Sequence, residues 1–184
     1  MAMPTAGSAP GQLDRAVVLR ALVVDITTLA VDAIVNAANR FLIPGGGVCG
    51  AIHRAAGPGL ALACEGLGGC PVGEARLTEG FGLPARFVIH AVGPVWQGGE
   101  AGEEELLASA YRSALLLANE RGCRRIAFPA ISTGIFAFPV GRATRIAVAT
   151  ARETLVRAPS LDEVIFACFS PEVLAAYREE GVTA

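Results

Sequence analysis

Ala33-Ile-Val-Asn-Ala-Ala-Asn39 leads, four residues later, into Pro44-Gly-Gly-Gly-Val-Cys-Gly-Ala-Ile-His53. Its first five residues, Ala33–Ala37, put apolar side chains on both parities, so they read as a strand buried on both faces. Asparagines close that strand, three glycines follow, and a helical pattern occupies Gly50–Ala56. Strand, glycine turn and helix form the repeating unit of an α/β sheet. The flanking sequence keeps the alternation. Ala16–Val24, Ala75–Glu79, Arg86–Val92, Arg125–Ile131 and Glu163–Phe169 read as strands. Gly59–Gly66, Glu103–Arg121, Gly141–Arg157 and Pro171–Glu180 read as helices, the last capped by Ser170. In Glu103–Arg121, Leu106, Ala110, Ala114 and Leu117 share a face, acidic residues fill the first turn, and Gly122 ends the helix. This pattern predicts a mostly parallel sheet covered on both faces, with ligands collecting beyond the carboxyl ends of the strands.

Composition bounds the function. The chain has 184 residues, 53 % hydrophobic and 17 % charged, enough for a buried core and unlike a disordered segment. Residues 15–184 are expected to form one domain, and residues 1–14, small, polar and rich in Pro and Gly, a flexible tail. A net charge of −2 argues against a broad nucleic-acid footprint. No run approaches the roughly 18 apolar residues of a membrane span. The start lacks a basic stretch followed by an apolar one, so no secretory signal is expected. Five cysteines, an odd number without CxxC spacing, fit a reduced cytoplasmic compartment. All 15 basic residues are arginine. Schiff-base and lysine-nucleophile chemistry is therefore excluded, as is the GxxxxGK[ST] phosphate loop. His53 and His90, the two histidines, leave no multi-histidine metal site, and no metal or cofactor is expected.

Four segments after strands carry polar or glycine-rich chemistry. Asn36 and Asn39 either face a ligand with donor and acceptor or cap a turn. Gly45, Gly46 and Gly47 let a ligand approach backbone N–H groups and a helix N-terminus, which suits a pyrophosphate. The spacing is not GxGxxG, and no acidic residue follows at the dinucleotide distance. Ser132-Thr133-Gly134 forms a second candidate anion nest flanked by Phe136 and Phe138. Asp25 follows the first strand, as a turn cap or as an acceptor for a base amine. His90, mid-strand in an apolar run, reads as a hydrogen-bonded core histidine. His53 lies one helical turn after Cys49 and could share its face. Cys64 and Cys70 read as inert, and Trp96 as a loop residue that borders the site or packs on the surface.

These residues, taken in order, resemble the macro domain family. The matching segments are Val24-Asp-Ile-Thr27, Val31-Asp-Ala-Ile-Val-Asn-Ala-Ala-Asn39, Gly45-Gly-Gly-Val48, Gly50-Ala-Ile-His-Arg-Ala-Ala-Gly57, Leu83-Pro84, Val88-Ile-His-Ala-Val-Gly-Pro94 and Ala130-Ile-Ser-Thr-Gly134. Within the family the chain is most similar to the MacroD-type branch. The resemblance implies a three-layer α/β/α sandwich with a mixed, mostly parallel sheet. It implies binding of ADP-ribose or O-acetyl-ADP-ribose, and hydrolysis of O-acetyl-ADP-ribose or of mono-ADP-ribose esters on protein side chains. Carried over by position, Asp25 and Ile26 would meet the adenine. Asn39 would hold the ribose next to the reacting group. Gly45, Gly46, Gly47 and Val48 would line the diphosphate. Ser132, Thr133, Gly134 and Ile135 would supply donors to the phosphates. Phe136 would pack on the ribose, and Phe169 would be an adenine platform.

One position departs from the pattern. Many MacroD-type enzymes carry Asp ten residues after the second Asn, where this chain has Cys49. Cys49 is either a thiolate at a helix N-terminus or a small residue that leaves water activation to Asn39 and a substrate phosphate. The alternative function is a reader that binds ADP-ribose, or mono-ADP-ribosylated proteins, without turnover.

Overall fold

The computed structural model describes residues 16–184; the expected tail at 1–14 lies outside them. Six strands form one sheet: β1 (Val18–Val23), β2 (Ala33–Ala37), β3 (Ala75–Glu79), β4 (Phe87–Ala91), β5 (Arg125–Phe128) and β6 (Glu163–Cys168). Five α-helices flank it: α1 (Gly47–Ala56), α2 (Pro58–Glu65), α3 (Glu103–Glu120), α4 (Val140–Leu155) and α5 (Pro171–Glu179). The spatial order is β1-β6-β5-β2-β4-β3. Every pairing is parallel except that of edge strand β3 with β4. The expected three-layer α/β/α sandwich with a mixed, mostly parallel sheet is the fold observed.

Residue parity divides the core into two clusters. Ala33, Val35, Phe87, Ile89, Ile126, Phe128, Val164 and Phe166 face α3, α4 and α5. Ile34, Val88, Ala127 and Ile165 face α1 and α2. Side chains alternate across a strand, so one five-residue segment serves both clusters. The same parity sends Asn36 and His90 toward α1 and α2, and the β2/β4 register sets them side by side. The site's polar floor is thus a consequence of strand register.

Two readings need correction. The strand expected at Arg125–Ile131 stops at Phe128. Beyond it, Tyr111 takes over the backbone: its hydroxyl accepts from Ile131 N at 3.2 Å and donates to Pro129 O at 3.3 Å. Helix α3 is rotated about one position from the expected face. Its buried row is Leu107, Ala110, Tyr111, Ala114, Leu115 and Ala118, which leaves Leu106 and Leu117 only partly covered. Leu107, Tyr111 and Leu115 stand four apart and present the bulkier row to the sheet. Ser170 does cap α5, accepting from Val173 N at 3.4 Å. All five cysteines are buried free thiols. Among the described residues no helix is long and apolar enough to cross a membrane.

Candidate functional site

The carboxyl ends of β1, β6, β5 and β2 open onto one edge of the sheet, and the glycine loop and the 129–139 loop approach each other there. A Cβ built on Gly46 would lie 3.5 Å from Ile135 Cδ1. The tips of the two loops therefore come within ordinary contact distance of each other at this edge.

The glycine loop ends in an unusually bare helix start. Gly46 is the N-cap of α1 with no side-chain capping bond, and Gly47 takes φ +58°. The first intrahelical donor is Gly50 N, to Gly46 O at 3.3 Å. The N–H groups of Gly47, Val48 and Cys49 consequently point out of the helix, at its positive end. Gly50 fixes this geometry: a Cβ there would lie 2.5 Å from Gly45 O, so only glycine lets the loop fold back on the helix.

The 129–139 loop is wound just as tightly. Thr133 N and Oγ1 both donate to Ala130 O, at 3.3 and 2.7 Å. Phe138 N donates to Ser132 O and Ala137 N to Gly134 O, each at 2.9 Å. Ser132 and Ala137 adopt φ +66° and +59°, a strained conformation for residues with a side chain. The N–H groups of Ser132, Gly134, Ile135 and Phe136 have no partner among the described residues. Four orphan donors on one loop form an anion nest. Ile135 is 84 % exposed, with its side chain uncommitted to the core. Phe136 is half-buried, whereas Phe138 is core, 4.7 Å from the Trp96 ring. Trp96 supports the loop from behind: its N donates to Phe136 O at 2.8 Å, and Arg142 stacks on its indole.

Asn39 has most of its hydrogen-bonding capacity committed. Its Oδ1 accepts from Phe41 N and Ile43 N, each at 3.2 Å, and its Nδ2 donates to Ile43 O at 2.8 Å. These partners settle the amide's orientation and close the turn 39–43. One Nδ2–H remains, so Asn39 can offer a ligand a donor. It lies on the glycine-loop side, since a Cβ on Gly45 would sit 3.7 Å from Nδ2 and 3.9 Å from Cys49 Sγ.

Beneath them runs a buried polar column. Asn36 Nδ2 approaches Cys49 Sγ at 3.7 Å and His90 Nδ1 at 3.1 Å. On the far side of the ring, His90 Nε2 meets Thr78 Oγ1 at 3.0 Å and Cys64 Sγ at 3.7 Å. With Asn36 donating to Nδ1, the ring proton sits on Nε2 and is donated to Thr78. Burial, with a smaller contribution from His53, pushes the imidazole down to about 4, so His90 stays neutral at pH 7. The expectation of a hydrogen-bonded core histidine holds. Burial, with a lesser effect from nearby Cys49, pushes the Cys64 thiol up to about 11, which makes it inert. Asn36 Oδ1 has no partner among the described residues. Cys49 itself is buried, and its thiol donates weakly to Ile43 O at 3.8 Å. Among the described residues His53 forms no bond to it and its Nδ1 is buried without a partner, and burial lowers its pKa.

At the β1/β6 end, Asp25 Oδ1 caps a 3-10 turn, accepting from Thr27 N at 2.9 Å and Thr27 Oγ1 at 2.7 Å. These bonds hold the carboxyl below the usual carboxylate range. Asp25 Oδ2 takes no hydrogen bond among the described residues. The Ile26 side chain is buried in the core, leaving only its backbone for a ligand. Phe169 is 97 % exposed and follows Cys168, which is paired in register with Val23 of β1. Asp25 and Phe169 are therefore neighbours just past adjacent strand ends. Asn36, read as a ligand-facing residue or a turn cap, lies instead in the buried column against His90 and Cys49; Gly50, Gly93 and Tyr111 shape the site without having been singled out for it. Their roles lie in contacts between segments distant in sequence.

The macro domain family model matches residues 35–147. A macro domain-containing protein of Chlorobaculum tepidum is 59 % identical over 163 residues, covering 89 % of this chain and 95 % of its own length. A Klebsiella pneumoniae protein named O-acetyl-ADP-ribose deacetylase is 53 % identical over 158 residues, 84 % of this chain and 90 % of its own. The Oceanobacillus iheyensis macrodomain with ADP superposes with a TM-score of 0.83 at 42 % identity, over 88 % of each chain. The Trypanosoma brucei macrodomain in complex with ADP-ribose gives 0.83 at 43 % identity, over 89 % of this chain and 68 % of that one.

Proposed function

Because the chain belongs to the macro domain family, we propose that it binds ADP-ribose and hydrolyses its esters, O-acetyl-ADP-ribose foremost and mono-ADP-ribosyl esters of acidic side chains by the same chemistry. The observation that carries the reading is the approach of the glycine loop to the 129–139 loop, with unpartnered N–H groups on both. A diphosphate between them meets the α1 N-terminus from one side and the Ser132–Phe136 nest from the other. Asp25 Oδ2 takes the adenine amine, and Phe169 offers its exposed ring to the base. The far ribose then lies against Gly45, with the free Nδ2–H of Asn39 donating to a hydroxyl.

Hydrolysis needs a water directed at the acyl carbon. Its oxygen adds to that carbon, the bond from carbon to the ribose oxygen breaks, and the ribose oxygen takes the proton. A substrate phosphate oxygen orients the water and accepts its proton in transit. The protein's share is alignment: fixed backbone donors hold phosphates and ribose, with no reorganisation during reaction. Cys49 is the packed floor under this ribose. The protein acts without a resident cofactor, and its partners are ADP-ribose, O-acetyl-ADP-ribose and mono-ADP-ribosylated proteins, in the cytoplasm.

A second reading, the reader without turnover, is favoured by Cys49 alone, a thiol with only weak bonds where a carboxylate would hold the water. Acetate release from O-acetyl-ADP-ribose, followed beside calorimetry with free ADP-ribose, separates the two. Release with binding supports the hydrolase, and tight binding without release the reader.

A further inference from the structure

Three acidic residues open α3, and only one of them lies inside the protein. Glu104 and Glu105 are exposed, whereas Glu103 is 2 % exposed. Its carboxylate reaches back over the preceding loop. Oε1 accepts from Gln97 N at 2.8 Å and Gly99 N at 3.1 Å, and Oε2 accepts from Ala101 N at 2.8 Å. Gln97 and Ala101 are themselves exposed, so an outer loop is wrapped around a buried carboxylate. Hydrogen bonds to a carboxylate are roughly twice as strong as neutral ones.

Segment 93–101 has little else to hold it. Gly98 and Gly99 take φ +97° and +93°, so the chain there has wide conformational freedom of its own. Among the described residues its one backbone–backbone bond is Trp96 N to Phe136 O, at 2.8 Å. That bond leads to the anion nest. Segment 132–138 closes on itself through Phe138 N to Ser132 O and Ala137 N to Gly134 O, and Trp96 N makes the one backbone–backbone bond that ties it to another segment among the described residues. The indole adds packing. Phe138 lies 4.7 Å from it and the Arg142 guanidinium 5.4 Å, and a Cβ on Gly99 would come within 2.9 Å of Trp96 Cη2. Glu103 thus holds both the residue that follows Trp96 and the glycine packed on the indole edge.

We propose that Glu103 is a positioning residue for the diphosphate: through Trp96 it sets the Ile135 and Phe136 donors, and it touches no ligand itself. The inference rests on the ADP-ribose reading of the cleft and adds to it a residue outside the cleft. Glu103→Gln keeps the size of the side chain but turns one oxygen into a donor. At least one backbone N–H then faces an N–H, and the loop must release it. Trp96 loses its fixed neighbours, and the nest drifts on the ångström scale that alignment does not tolerate. Asp25 and Phe169 belong to other segments, past the ends of β1 and β6, and keep their places.

The test uses the full chain, Glu103→Gln, Gly99→Ala, the double variant, and Glu105→Gln as a control at an exposed carboxylate of the same helix turn. Binding of ADP-ribose and of adenosine is followed by NMR titration, together with the backbone amide spectrum of the free protein. Glu103→Gln should weaken ADP-ribose about tenfold or more, hold adenosine within twofold, and displace or broaden the Ile135 and Phe136 amides. Gly99→Ala, which pushes a methyl at the indole, should do the same. Because both act through Trp96, the double variant should lose no more than the worse single one. Glu105→Gln should match the parent throughout. ADP-ribose affinity within twofold of the parent in Glu103→Gln overturns the proposal. Equal losses for ADP-ribose and adenosine reduce Glu103 to a general stabiliser and overturn it too, and fully additive losses overturn the route through Trp96. If Glu103→Gln does not fold, Gly99→Ala decides, and retained ADP-ribose affinity there overturns the proposal. A parent that binds no ADP-ribose refutes the reading of the cleft and this inference with it, whereas a binding parent matched by Glu103→Gln refutes the inference alone.

Discussion

Gly93→Ala tests whether the 129–139 loop is the anion nest. Gly93 follows β4 at the sheet edge, and a Cβ there would lie 2.2 Å from Ser132 Oγ and 2.6 Å from Ile131 Cγ2. The first distance falls 1.2 Å short of the 3.4 Å where ordinary contact begins. Neither neighbour can swing aside: Ile131 is 1 % and Ser132 6 % exposed, and Ser132 is already at φ +66°. The loop must move as a unit by about 1 Å, and its donors move with it. Misplacement on that scale costs on the order of a hundredfold where geometry is critical. Overpacking costs about 1–3 kcal/mol, which for a domain of this length lowers Tm by roughly 5 °C. Calorimetry should show ADP-ribose affinity reduced at least tenfold, with the circular dichroism spectrum of the parent retained. Adding Ser132→Gly removes the shorter contact and relieves the positive φ, so part of the affinity should return. Binding within twofold of the parent and an unchanged Tm in Gly93→Ala would refute the assignment.

Cys49→Ala should keep most of any deacetylase activity, because the thiol is packed and weakly bonded, while Asn39→Ala, which opens the turn 39–43, should lose far more; acetate release is the readout, and near-complete loss in Cys49→Ala with binding retained would instead identify a nucleophilic thiolate. Cys49→Asp places an acceptor beside Asn36 Nδ2 and should raise turnover. Asp25→Ala should weaken ADP-ribose about tenfold through loss of an acceptor to the base, and an affinity unchanged within twofold would remove Asp25 from the site. His90 links stability to pH. Its folded pKa of about 4 lies below the ordinary imidazole value of 6.5, so on acidification the unfolded chain takes up a proton that the folded chain refuses. Its contribution is whole above pH 6.5, falls between 6.5 and 4, and levels off below, a total of about 3 kcal/mol. Urea midpoints at pH 7, 5.5 and 4.5 should show this decline, flattened in His90→Gln; equal slopes in both would contradict a neutral buried ring.

Sequence periodicity revealed whatever depends on neighbours along the chain. Ala33–Ala37 and Ala75–Glu79 form strands with the bounds read from the sequence. Ser170 caps the helix its side chain was expected to cap. Failures begin where a distant residue decides. Arg125–Ile131 reads as continuous strand, but Tyr111 captures Ile131 N and Pro129 O and turns the chain away from the sheet. The α3 face was misjudged by one position because Leu106 and Leu107 are equally apolar, and only the packed sheet chooses between them. In the candidate site, glycines and short polar residues after strands were visible, and so was the departure at Cys49. The constraints on them were not. Gly50 is required by Gly45 O, and Gly93 by Ser132 Oγ, contacts made through loop closure. Asn36 meets His90 only through the β2/β4 register. Asn39 was left between turn cap and ligand donor, and the geometry gives it both roles, since three of its four bonds close the turn.

The most direct test of the ADP-ribose-ester account is acetate release from O-acetyl-ADP-ribose under single-turnover conditions, with the protein in excess and proton NMR as the readout. The account predicts full conversion by the parent, strong slowing in Asn39→Ala, and near-parental rates in Cys49→Ala. A parent that binds neither O-acetyl-ADP-ribose nor free ADP-ribose, and releases no acetate above the uncatalysed rate, would contradict it.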